Sequence, residues 1–234
     1  MRPFEPKLIL KFMQEVFPYL SVTLEVTIAA VFLGMLFGAI LTYLKLYGNK
    51  WQSAFAESYT YVMRCTPSIV LLFIVFYGLP KFFLEVFIVD INNLSRAIFV
   101  IVTFTLLSSA AISEVFRAAY LAIDKGQYEA AVSMGLSSEY ALLRIVLPQA
   151  AVVALPNFCN TVLNLIKEGS LAYTIGLIDL LGAGQLIISR SYGASALEVY
   201  IAVGLIYWAL AVIFSKIALK LELYFAPQHL KIGR

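Results

Sequence analysis

Asp124-Lys-Gly-Gln-Tyr-Glu-Ala-Ala-Val-Ser-Met-Gly135, continued by Leu-Ser-Ser-Glu-Tyr-Ala-Leu-Leu-Arg-Ile145-Val-Leu-Pro148, is a polar island in a mostly apolar chain. Its residues predict two short helices joined by a turn. Gln127 to Met134 are good helix formers, and Gly135 supplies the left-handed residue that ends the first helix. Ser137 or Ser138 is placed to cap the second, whose Leu142, Leu143, Val146 and Leu147 recur at helical spacing. Pro148 is then expected to turn the chain back into the apolar stretch that follows. Ala130 and Ala131 leave a bare helical face that another protein's backbone can approach closely, and Glu129 offers a charge at its edge. A short helix of this kind suits a knob that fits a partner's groove.

Outward from the island the chain becomes greasy on both sides. A spanning helix needs about 20 apolar residues. Five stretches qualify, at about 20–44, 54–79, 97–122, 150–173 and 197–219. Across all 234 residues, 62% are hydrophobic and 13% charged, and the mean hydropathy is +0.88. So much apolar surface has too little interior to hide in and must face lipid. Disorder is excluded by the same composition. The net charge of +3 comes from bases scattered in ones and twos, which argues against nucleic acid and for the loop bias of a membrane protein. Counting Lys and Arg at the span ends places the island and the C-terminus in the cytoplasm and the N-terminus outside.

The predicted organisation is an all-α membrane protein in three parts. Residues 1–18 form an N-terminal interfacial segment, where Arg2, Glu5, Lys7, Lys11 and Glu15 interrupt anything resembling a cleaved signal. Residues 19–221 form the transmembrane domain, with the island at about 124–148, and residues 222–234 a cytoplasmic tail. Arg64 and Pro67 are expected to kink or break the second span. Gly34 and Gly38 form a GxxxG, a pattern that can mark a dimerisation face.

Several chemistries lack the residues they need. Cys65 and Cys159 are the only cysteines and His229 the only histidine, so zinc-ligand spacing and His-based hydrolysis are both missing. The chain has no GxSxG elbow and no GxxxxGK[ST] phosphate loop. An enzyme is therefore not expected, nor a metal, nor a cofactor held by this chain.

Glu129-Ala130-Ala131, three residues, Gly135, nine residues, Ile145, one residue and Leu147-Pro148 together resemble the EAA loop of importer-type ABC transporter permeases. Arg64-Cys-Thr-Pro67 is similar to the Arg-Gly-Thr-Pro segment of the polar amino-acid permeases, with Cys65 where glycine is usual. Phe76-Tyr-Gly-Leu-Pro80, Ser113-Glu-Val-Phe-Arg-Ala118 and Lys125-Gly-Gln-Tyr-Glu129 fit the same family. So do Leu147-Pro-Gln-Ala150 and Ala154-Leu-Pro156. From Pro156-Asn-Phe to Gly176 the chain looks most like the cystine and sulfur amino-acid permeases, although Lys167-Glu-Gly-Ser-Leu171 replaces the common Lys-Asp-Thr-Ser-Leu. The resemblance implies a permease subunit with a cytoplasmic coupling helix. Two ATPase subunits holding ATP and Mg would dock on such helices, a second permease chain (a copy or a sister) would pair with it, and an external solute-binding protein would deliver the substrate. By carry-over, Glu129, Ala130, Ala131 and Gly135 lie in or beside the coupling helix, with Ile145, Leu147 and Pro148 positioning it. The implied cargo is L-cystine or a related sulfur amino acid. Arginine, histidine or glutamine is the alternative by the same mechanism, and an ion-coupled secondary amino-acid transporter the alternative in kind. The lack of an internal repeat speaks against the last.

Polar residues inside a span need a reason. In the fourth span Asn157, Asn160, Thr161, Asn164 and Glu168 fall within a band roughly 100° wide at helical spacing. Two readings stand: a wet path whose amides can serve both ends of a zwitterion, or polar glue between packed helices. Thr66, beside the Pro67 break, belongs to the path reading. Ser109, Ser113 and Arg117, with Glu114 beside them, mark a second strip in the third span, read as a structural Glu114–Arg117 pair. The glycine-rich segment from Ile175 to Arg190 is read as an external gate or docking surface, or an ordinary loop.

Overall fold

A computed structural model describes residues 4–225. Helix α1 (Pro6–Val16) passes through a tight turn at Phe17–Tyr19 into α2 (Leu20–Tyr47). Gly48 ends α2, and Asn49 starts α3 (Lys50–Cys65) with a reciprocal cap. Asn49 Oδ1 accepts from the backbone of Trp51 and Gln52, and Gln52 Oε1 accepts from Asn49 N at 2.9 Å. Helices α4 (Ser68–Phe73) and α5 (Leu79–Phe87) make one continuous apolar rod. Next come α6 (Arg96–Leu121), α7 (Lys125–Ser133), α8 (Ser138–Ala141) and α9 (Leu147–Glu168), then α10 (Leu180–Arg190) and α11 (Ala196–Phe225). Among the described residues, five helical stretches are long and apolar enough to cross a membrane: Pro6–Tyr47, Ser68–Phe87, Arg96–Leu121, Ser138–Ile175 and Ala196–Phe225.

The second of these corrects the expected bounds of 54–79. Pro67 has no N–H to donate and its ring pushes Thr66 out of the helical region. Thr66 and Pro67 are both extended, so the helix stops at Cys65 and a new one begins at Ser68. Pro148 behaves differently from expectation. It sits in the first turn of α9, and the chain runs on from Ser138 without a corner. The preceding five residues, Leu142–Val146, form a π turn, and the same arrangement, Ile74–Gly78, precedes Pro80. In each case a Leu-Pro follows the wide turn, which carries one surplus residue and moves away the carbonyl that a proline ring would strike.

Contacts between α2 and α6 advance together along both helices. Ser108 Oγ donates to Ala30 O at 3.2 Å, Thr42 Oγ1 to Ser113 O at 3.0 Å, and Tyr47 meets Tyr120 by a hydroxyl–hydroxyl bond. The two helices therefore run parallel, and residues 50–95 recross between them. Gly34 and Gly38 lie in this seam, so the GxxxG packs within the chain. A Cβ on Gly34 would overlap Ser108 Oγ, and one on Gly38 would come 3.1 Å from Ile112. Such close approach lets van der Waals packing hold two apolar helices together where lipid offers no hydrophobic drive. Gly34→Ala is expected to destabilise the protein by about 1–3 kcal/mol, the usual cost of overpacking. Gly204→Ala, whose Cβ would meet nothing within 4 Å, should leave the thermal unfolding midpoint in detergent unchanged or higher.

One apolar core lies among α2, α4, α6 and α9, around Val26, Leu72, Phe99, Phe104 and Leu165. A second joins α1 to α10 and α11 through Phe12, Val16, Leu180, Val199 and Val203. The N-terminal segment is thus packed along α11, and Glu5 N donates to Glu198 Oε1 at 3.1 Å. Of the predicted tail, residues 222–225 complete α11; the rest, including His229, lies outside the described residues.

Candidate functional site

The island folds as a capped helix on a short second helix. Asp124 Oδ1 accepts from Gly126 N at 2.6 Å and opens α7. At the far end Leu136 N bonds Ala131 O at 3.2 Å and Gly135 N bonds Val132 O at 2.9 Å, with Gly135 at φ +91°. This pairing of orphan carbonyls needs a left-handed residue, and glycine takes it without strain. Ser137 Oγ then accepts from Tyr140 N at 3.4 Å to start α8. Glu129 and Ala130 are exposed, whereas Ala131 is buried where α7 packs on α8 and the Leu142–Val146 turn. Ile145 is half-buried in that turn, and Leu147 and Pro148 begin α9. The seven residues carried over from the EAA pattern are therefore one contiguous body: a knob, its stop, and the root of a spanning helix.

Along α9 the polar band stays on one side. Asn157, Asn160 and Asn164 are exposed, while Cys159, Val162, Leu165 and Ile166 are buried. Thr161 Oγ1 donates to Asn157 O at 2.9 Å, which occupies its hydroxyl within the helix. Lys167 Nζ reaches Asn164 Oδ1 at 3.3 Å. Neither Asn157 nor Asn160 hydrogen-bonds another described residue through its side chain, so these amides do not glue this chain's own helices together. Glu168 accepts from Ser68 Oγ at 2.9 Å, which ties the top of the band to the break after Pro67. Thr66 lies at that break, but its hydroxyl donates to Val62 O at 2.8 Å. Sequence reasoning does not find Ser68, which holds Glu168; it is the first residue after the proline, where a new helix begins.

Residues 30–222 match the family described as the binding-protein-dependent transport system inner membrane component. The chain belongs to that family. It is similar to the L-cystine transport system permease protein TcyL of Bacillus subtilis, 38% identical over 213 residues that cover 91% of this chain and 88% of the relative. The nopaline transport system permease protein NocM of Agrobacterium fabrum is 32% identical over 219 residues, covering 91% and 90%. Among solved structures, an amino acid ABC transporter crystallised with histidines superposes with a TM-score of 0.82 at 29% identity, covering 94% of this chain and 99% of that one.

Two polar clusters hold this inner membrane component together at opposite ends. Beside the knob, Lys45 is almost fully enclosed, with a side chain 1% exposed. Its ammonium donates to Thr60 Oγ1 (2.7 Å), Ser113 Oγ (2.9 Å) and Glu114 Oε1 (2.7 Å). Glu114 also pairs with Arg117 at 3.0 Å, as the sequence suggested. Lys45 was not foreseen; a lone lysine in the last turn of an apolar helix was the available signal. Ser109 of the same strip meets the Tyr59 hydroxyl at 2.8 Å, so the strip fastens α3 to α6.

At the other end Asp179, between two spans, is buried and caps α10 by accepting from Gly182 N at 2.8 Å. Tyr207 Oη lies 3.4 Å from its second oxygen, and Thr23 Oγ1 accepts from Leu180 N at 3.2 Å. Burial outweighs these bonds and pushes the Asp179 carboxyl up from 3.8 to about 6. The folded protein then holds this proton more tightly than the unfolded chain does. Its contribution to stability is full below about pH 4 and is lost as pH rises through about 6, a span worth up to about 3 kcal/mol. Thermal unfolding should show a higher midpoint at pH 5 than at pH 8, and Asp179→Asn should flatten that slope.

Proposed function

We propose that the chain is the permease subunit of an ATP-driven ABC importer that carries a polar amino acid, with L-cystine or a related sulfur amino acid as first choice of substrate. The 38% identity to a cystine permease over nearly the whole chain supports that choice. Two ATPase subunits holding ATP and Mg grip the α7 knobs, a second permease chain covers the face of α9 that carries Asn157, Asn160 and Asn164, and an external binding protein supplies the cargo. The N-terminus lies outside and the C-terminus in the cytoplasm.

The observation that carries the reading is the helical path from knob to polar band. Helix α7 is capped at both ends and packed on the Leu142–Val146 turn, from which α9 rises directly and runs past an interior Pro156. A displacement of Glu129-Ala130-Ala131 is carried along that helix to Asn157, Asn160 and Asn164. The knob must bind the ATP-bound and ATP-free partner unequally, since only a difference in affinity can shift the permease between its inward- and outward-facing states. Exposed amides on a spanning helix are expensive against hydrocarbon. A second permease chain facing them makes a wet seam in which Asn donors meet a carboxylate, and Asn acceptors with Glu168 meet an ammonium.

The test is uptake by vesicles containing permease, ATPase and binding protein. Labelled cystine should accumulate only with ATP and outcompete arginine, histidine and glutamine. Asn160→Leu with Asn164→Leu should cut uptake about tenfold or more, equivalent to at least 1.4 kcal/mol, with ATPase docking intact. Unchanged uptake would remove the band from the path. Accumulation driven by an ion gradient without ATP would favour a secondary transporter instead.

A further inference from the structure

Helices α2 and α9 meet near Thr27 and Gly169, where a Cβ on the glycine would lie 3.7 Å from Thr27 Oγ1. Toward the α7 end they part, and the inner end of α6 floors a cleft of about 620 Å³ between them. Its walls are hydrocarbon and aromatic, among them Met35, Leu46, Phe116, Ala151, Leu155 and Phe158. Of the hydroxyl-bearing residues along it, Thr42 is spent on Gly38 O and Ser113 O, and Tyr47 and Tyr120 bond each other, which leaves that of Tyr43. No charged side chain lines it. The lining follows α2 from Met35 to Tyr47, about 18 Å at the helical rise per residue.

The mouth has a different chemistry. A second cavity of about 350 Å³ shares Tyr47, Tyr120 and Leu142 with the cleft and adds Tyr128, Ser138 and Glu139. Tyrosines at this level are typical of a membrane–water boundary, where a ring sits in the greasy layer and its hydroxyl in the wet one. Hydroxyls donate to phosphate oxygens. Glu139 is a carboxylate, and neither cavity is lined by a lysine or arginine. Such a mouth accepts an ammonium and disfavours a headgroup of net negative charge.

We propose that the cleft binds an acyl chain of an amine-bearing phospholipid, such as phosphatidylethanolamine, whose ammonium meets Glu139 and whose phosphate meets the Tyr128 and Ser138 hydroxyls. The chain lies against Leu147, at the root of the knob, so lipid occupancy sets the spread between α2 and α9. The site stands apart from the amino-acid path, and its test needs neither ATP nor substrate.

The detergent-purified full-length chain is mixed with equal phosphatidylethanolamine and phosphatidylglycerol and weighed by native mass spectrometry. One phosphatidylethanolamine should be retained per chain. Ala151→Trp, which fills the cleft from an exposed position, should lower retention about tenfold, and Glu139→Lys should reverse the preference toward phosphatidylglycerol. Thermal unfolding of both variants at the wild-type midpoint shows that they are folded. The proposal is overturned if folded Ala151→Trp retains the lipid equally, if the unaltered chain prefers phosphatidylglycerol, or if a cysteine at position 151 cross-links to a second copy across the cleft.

Discussion

Glu129→Lys is expected to reduce ATP-driven uptake about a hundredfold while leaving the permease inserted and folded. The side chain is exposed on α7, and surface substitutions of that kind usually change stability by no more than about 0.5 kcal/mol. In the proposed socket the same site is close-packed. Reversing a charge at such a contact costs several kcal/mol, each 1.4 kcal/mol being a factor of ten. The loss should therefore appear in co-purification of the ATPase and in uptake together, with no change in the unfolding midpoint of the isolated permease. Full uptake by the variant would mean that α7 is not the point at which force enters.

The second large effect is on stability. Lys45→Met removes a cation that is enclosed by α2, α3 and α6 and bonded to three partners at 2.7–2.9 Å. Removing one member of a buried ion pair typically costs about 3–5 kcal/mol. Glu114 keeps Arg117 and is partly exposed, so about 3 kcal/mol is expected here. The measurement is thermal or denaturant unfolding in detergent. Thr60→Val, which removes one neutral acceptor, should cost only about 1 kcal/mol. An unaltered midpoint in Lys45→Met would show that the cluster carries no net stability.

What the sequence revealed was local in origin. Gly135, Ser137 and the caps of α7 act within a few residues of themselves, and the spacing of Asn157, Asn160 and Asn164 is a property of one helix. Lys45 could not be read the same way, because two of its partners are 68 and 69 residues away. Gly34 and Gly38 were legible as a contact face but not as to which helix they would meet, since an internal neighbour and a second copy present the same need for small residues. The second span was misplaced because hydropathy averages across a proline, while the backbone does not. For the amide band, periodicity assigned a side of the helix; only the packing of Val162 and Leu165 against the interior showed that this side points away from the chain's own core.

The surplus residue in the Leu142–Val146 turn makes this permease sensitive to phase. Each residue advances an α-helix by about 100°, and the wide turn absorbs the advance of its extra residue, so winding the same residues as ordinary α-helix would rotate everything above them by that angle relative to α7. The amides would then swing toward the positions held by Val162 and Leu165, and the aliphatic row would face outward. Composition and hydropathy would be unchanged, yet the knob would be driving the wrong side of the shaft.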